Sequence, residues 1–107
     1  MNKFEEELKI GNFVTSECKY CDKIVWPPSD YCNSCLKDTI WRDVSLNGKL
    51  VEWSKNANDI FCMVEFENTI RILGKLDPKN SPLKPDQTVK LTKCTFNGKP
   101  RFFFRID

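Results

Sequence analysis

The sequence predicts a mainly β fold with a short N-terminal helix, a zinc ribbon, and a five- to six-stranded barrel of the oligonucleotide/oligosaccharide-binding (OB) type. Three observations predict it. Four cysteines stand as two CxxC pairs, Cys18/Cys21 and Cys32/Cys35. From Ile40 onward, short runs alternate apolar and polar residues with period two. Between these runs stand the turn signals Asn47-Gly48, Glu67-Asn68 and Asn97-Gly98. The expected organisation is residues 1–12 as helix, 13–39 as zinc ribbon and 40–107 as OB barrel.

Phe4 to Ile10 reads as a helix. Phe4 and Leu8 share one face, Glu5, Glu6 and Glu7 complement the dipole of the first turn, and Gly11-Asn12 ends it. Seven residues do not hold a helix in isolation, so it must dock on the rest of the chain.

Residues 13–38 show little periodicity and carry Pro27-Pro28 midway, so a loop-rich module shaped by its metal is expected. Each CxxC can form a knuckle that places two sulfurs on one ion. Two knuckles complete a closed tetrahedral shell of four thiolates, the arrangement of structural zinc. Such an ion has no open position for water and would not be catalytic. An iron or iron–sulfur centre uses the same ligands. A redox dithiol expects a βαβ context that is missing here. Cys62 and Cys94 stand alone in strand-like runs and read as small buried hydrophobes.

The strands are expected at 40–46, 49–55, 60–66, 69–76, 88–95 and 100–106. Ile70, Ile72 and Leu76 fall on one face, as do Val89 and Leu91, and Phe102, Phe104 and Ile106. Short antiparallel strands with one apolar face lose most of their edges by curling into a barrel. Residues 77–87 hold three prolines and read as a loop.

Absences narrow the chemistry. The chain has no histidine, which excludes Ser-His-Asp triads, Cys-His dyads and HExxH sites. Its four glycines are too far apart for a phosphate loop. It is therefore not expected to be an enzyme by itself. No apolar run approaches a membrane span, and the N-terminus has no apolar signal region, so a cytoplasmic protein without membrane contact is expected. Charge is uneven. Residues 1–40 carry 5 basic and 7 acidic side chains, and residues 41–107 carry 12 and 8. The second half is the expected seat of an anionic partner.

There, Arg101, Phe103 and Arg105 alternate with the inward Phe102, Phe104 and Ile106, and should face outward together. Lys90, Lys93 and Lys99 lie in the neighbouring hairpin. A phenylalanine between two arginines can stack a base and pair with phosphates. The competing reading is a solvated basic strand with Phe103 covered. Trp26, Trp41 and Trp53 read as packing residues, with Trp26 beside Pro27-Pro28 sealing the ribbon against the barrel.

The order of motifs extends beyond the cysteines. Trp26-Pro27-Pro28 stands between the CxxC pairs, and Trp41 and Leu46-Asn47-Gly48-Lys49-Leu50-Val51 follow. Val64-Glu65-Phe66, Ile72-Leu73-Gly74-Lys75-Leu76 and Phe96-Asn97-Gly98-Lys99-Pro100-Arg101-Phe102 come next. Over roughly residues 4–106 this order resembles the archaeal and bacterial "domain of unknown function thirty-five" family. The resemblance implies a helical N-terminus, a rubredoxin-like zinc ribbon and an OB-fold. It also implies a non-catalytic partner of acyl-CoA enzymes, either thiolases, hydroxymethylglutaryl-CoA synthases or related enzymes acting on CoA thioesters. In that setting the small protein bridges subunits and helps hold the CoA moiety. The chain departs from the family in a shorter N-terminal helix and a first barrel loop trimmed to Asn56-Ala57-Asn58-Asp59. Asp22 replaces the usual glycine after the second cysteine, and Ser29 the usual arginine after Pro27-Pro28. The alternative, argued from fold alone, is a nucleic-acid-binding module.

Overall fold

A computed structural model describes residues 2–77 and 82–106. Helix α1 spans Lys3–Lys9. Its start is fixed by a capping box. The Asn2 side chain accepts the Glu5 N–H at 2.8 Å, and the Glu5 carboxylate accepts the Asn2 N–H at 3.3 Å. Gly11, with φ +91°, lets the chain turn away. Leu8 is wholly buried and Phe4 half-buried against the main core, so the helix docks as its length requires.

The ribbon contains more regular structure than the sequence suggests. Strands β1 (Val14–Cys18), β2 (Lys23–Val25) and β3 (Ile40–Asp43) form an antiparallel sheet in the order β2-β1-β3. The first cysteine knuckle closes the β1–β2 hairpin, pairing Cys18 with Lys23. Segments this short offer too little alternation to be read as strands. The Trp26–Pro27 peptide is cis.

Strands β4 (Asn47–Asn56), β5 (Asp59–Phe66), β6 (Ile70–Leu76), β7 (Thr88–Phe96) and β8 (Pro100–Ile106) close a barrel in the order β4-β5-β6-β8-β7. β8 runs parallel to β6, and β7 returns to pair with β4. This is the five-stranded OB arrangement. The expected faces are found, with Ile70, Ile72, Leu76, Val89, Leu91, Phe102, Phe104 and Ile106 all buried.

Two turn signals perform as expected. Glu67 (φ +50°) and Asn68 (φ +60°) make the tight β5–β6 turn, and Asn97-Gly98-Lys99 joins β7 to β8 with Gly98 at φ +78°. The third does not. Asn47-Gly48 lies inside β4, opposite Lys90 and Val89 of β7, and the expected strand 40–46 ends at Asp43 and pairs with β1. A side chain on Gly48 would place its Cβ 2.6 Å from Val64 Cγ1 and 2.9 Å from the Glu65 carbonyl oxygen. The glycine therefore serves close approach at barrel closure, not a reversal. Of the proline loop expected over 77–87, residues 78–81 lie outside the described residues, and 82–87 contain no strand.

One aromatic chain joins helix, ribbon and barrel. Trp26 meets Phe4 and Phe13 edge-on at 5.6 and 6.2 Å, and Phe13 meets Phe66 and Phe102 at 5.4 Å each. Trp26 thus packs the ribbon against the barrel, as expected. Trp41 instead donates its indole N–H to Asp30 at 2.9 Å. Trp53 lies outside the core expected of it, 36% exposed on β4.

Candidate functional site

The two knuckles converge. The Sγ atoms of Cys18, Cys21, Cys32 and Cys35 all lie within 4.8 Å of one another. Cys18 and Cys35 are 3.5 Å apart, and Cys21 and Cys32 are 3.9 Å apart. A tetrahedral four-thiolate shell with metal–sulfur distances of about 2.3 Å spaces its sulfurs about 3.8 Å. The four cysteines could therefore hold a metal ion. Local backbone supports this, since Cys21 N–H donates to Cys18 Sγ at 3.3 Å and Ser34 N–H to Cys32 Sγ at 3.4 Å. The residue following each CxxC, Asp22 or Leu36, takes a left-handed φ of +54° or +62°. That conformation favours glycine and is adopted by few other residues.

Electrostatics in the cluster are divided. Backbone N–H groups of Cys35 and Ser34 pull the Cys32 thiol down to about 6. Hydrogen bonding to the neighbouring thiols, Cys35 first, pushes Cys21 up to about 12. Four sulfurs this close do not all ionise near neutral pH unless a cation offsets their repulsion. Cys62 and Cys94 are buried inside the barrel, and burial raises both thiols, Cys62 to about 11. They are inert core residues.

On the barrel, Arg101, Phe103 and Arg105 lie on the outer side of β8. Lys90 pairs across with Arg105, and Lys93 with Phe103. Positions 90 and 93 would take opposite faces of a regular strand. A bulge between Leu91 and Lys93 returns both to the outer face. Lys93 Nζ stands 5.8 Å from the Phe103 ring centre. Among the described residues, none of the five cations Lys90, Lys93, Lys99, Arg101 and Arg105 has a carboxylate partner within 4.0 Å. Lys99, Arg101 and Phe103 line one groove of about 350 Å³ together with Phe61, Leu73 and Lys75. Lys90, Lys93 and Arg105 lie outside its lining.

Two features escape sequence reasoning. Phe61 and Leu73 are 45% and 69% exposed on the outside of β5 and β6. Leu73 has the opposite parity to Ile70, Ile72 and Leu76, which was the available signal. β5 is apolar on both faces near its start, so alternation there is silent. The second feature is Arg42. Its Nε donates to Glu17 at 2.7 Å, and its Nη1 and Nη2 grip the Glu67 carboxylate at 3.0 and 2.7 Å. Glu17 belongs to β1 and Glu67 to the β5–β6 turn, so one guanidinium bolts the ribbon to the barrel.

No family model matches the sequence, and no curated protein matches it significantly. Solved structures do match its fold. A chain of the Ltp2-ChsH2(DUF35) aldolase superposes with a TM-score of 0.72 at 16% identity, over 99% of this chain and 96% of that one. A protein of unknown function from the DUF35 family of Sulfolobus solfataricus superposes at 0.68 and 17% identity, over 98% of this chain and 83% of that one. The fold implied by the sequence resemblance is therefore the fold observed. No helix among the described residues is long and apolar enough to cross a membrane.

Proposed function

We propose that this chain is a non-catalytic accessory subunit of an acyl-CoA enzyme complex of the thiolase type, with a structural zinc ion in its ribbon. One observation carries the reading. The whole chain shares its fold with a chain of an aldolase whose name joins two components, Ltp2 and ChsH2(DUF35). The absence of histidine and the closed four-thiolate donor set favour a supporting role over an independent active site.

The basic outer side of β7–β8 suits the CoA thioester. Lys90, Lys93 and Arg105 offer cations to the CoA phosphates, with Lys99 and Arg101 at the border of that face, and the Phe103 ring is a surface for adenine. The partner is a thiolase, a hydroxymethylglutaryl-CoA synthase or a related enzyme of the cytoplasm. Zinc fits the thiolate set and sulfur spacing, and elemental analysis of purified protein distinguishes it from iron.

A tagged copy purified from its native organism should bring down an acyl-CoA enzyme in stoichiometric amount, identified by mass spectrometry. Recovery without any such enzyme would overturn the reading. The exposed aromatic and basic side chains of an OB barrel favour a second reading, single-stranded nucleic acid binding. That reading requires a salt-dependent shift with oligonucleotides and fails if none appears at low salt.

A further inference from the structure

We infer that the outer face of β4, β5 and β6 is the docking surface for the catalytic subunit, with Phe61 and Leu73 at its centre. This rests on the accessory reading and names the surface that reading leaves open. Phe61 and Leu73 are exposed side chains on adjacent strands, and Met63, paired with Leu73, is half-buried between them. Two grooves of about 300 and 350 Å³ adjoin here, sharing Phe61, Leu73 and Gly74, and Trp53 lines the first. Together they make one mainly apolar track across β4, β5, β6 and the start of β8, of the kind that marks an interaction site.

Charge selects the occupant. Two charges along the track are neutralised within the chain, Arg71 by Glu65 and Lys75 by Asp59, each at 3.0 Å. Those left without an ion-pair partner among the described residues stand at the two ends. Glu52 borders the first groove, and Lys99 with Arg101 borders the second. The complement is a protein segment with apolar side chains in its middle, a carboxylate over Lys99 and Arg101, and a cation near Glu52. A nucleic-acid backbone is not the complement, because Glu52, uncompensated at one end, repels phosphates. The β7–β8 side continues from the cationic end, so a subunit docked on this track lies beside the face proposed for the thioester.

The test measures binding of the acyl-CoA enzyme captured above to the wild-type chain and to Leu73→Glu, Phe61→Ser and Arg101→Glu variants by calorimetry. Melting curves and light scattering accompany each variant. Leu73→Glu and Phe61→Ser should weaken binding about 50-fold or more with unchanged melting, and Arg101→Glu about tenfold. If both apolar variants bind like the wild type, the surface is elsewhere and the accessory reading still stands. If the wild type binds no acyl-CoA enzyme, the accessory reading itself fails and takes the surface with it. A wild-type dimer that Leu73→Glu converts to monomer would assign the track to a second copy and overturn the inference.

Discussion

Arg42 ties together segments that sequence separation hides. Glu17 and Glu67 each stand 25 residues from it, on opposite sides. Hydrogen bonds from Arg42 hold both carboxyls below the usual carboxylate range. Because their folded values are depressed, the stabilisation is fully present above the unfolded Glu value of about 4.3. It is lost as pH falls through the lowered folded values. The side chains are partly exposed, which moderates the effect. Arg42→Met should cost about 1–2 kcal/mol at pH 7 by urea denaturation. The gap between variant and wild type should narrow below pH 4. A gap that stays constant would mean that Arg42 acts through packing. The cysteines, by contrast, were legible at this scale, because CxxC spacing is a local property that needs no knowledge of the fold.

Strands were legible wherever one face was buried and a turn punctuated the end, as for β6 and β8. Bulges were not. Those in β4, between Leu50 and Glu52, and in β7, between Leu91 and Lys93, shift the alternation by one residue. The two Asn-Gly pairs show why a turn signal needs context. Gly98 takes the left-handed conformation that a turn demands, whereas Gly48 is needed only for its missing side chain. Gly74 repeats the second case. A Cβ there would lie 2.5 Å from the Phe102 carbonyl oxygen and would also strike the Phe104 ring, beside the parallel β6–β8 pairing that closes the barrel. Gly74→Ala should destabilise the chain by about 1–3 kcal/mol, in line with overpacked cores. The denaturant midpoint should fall without a change in slope. A neutral substitution would show that β6 and β8 separate more readily than this packing implies.

At the scale of the molecule, the ribbon and barrel share one core through Trp26, Phe13 and Phe66, and the four cysteines gather in the ribbon half of that arrangement. Binding energy of a structural metal is folding energy. Chelation should therefore lower the melting temperature by about 10 °C or more and shift Trp26 and Trp41 fluorescence. Partner binding should be lost with it and return when zinc is restored. Retained melting behaviour after complete metal removal would show that the core alone holds the ribbon. The apolar track of Phe61 and Leu73 was the least legible feature at this scale. A two-sided apolar strand looks the same in sequence whether its second face meets another layer or a partner.

In the proposed accessory role, this chain supports another enzyme's chemistry without performing it. The most direct test of that role is thioester turnover by the acyl-CoA enzyme captured with this chain, assayed with and without it, beside the chain alone. The accessory role requires no turnover by the chain alone and at least a tenfold gain when it joins its partner, a step of about 1.4 kcal/mol that a modest positioning effect supplies. Turnover by the isolated chain, or a partner indifferent to its presence, would contradict it.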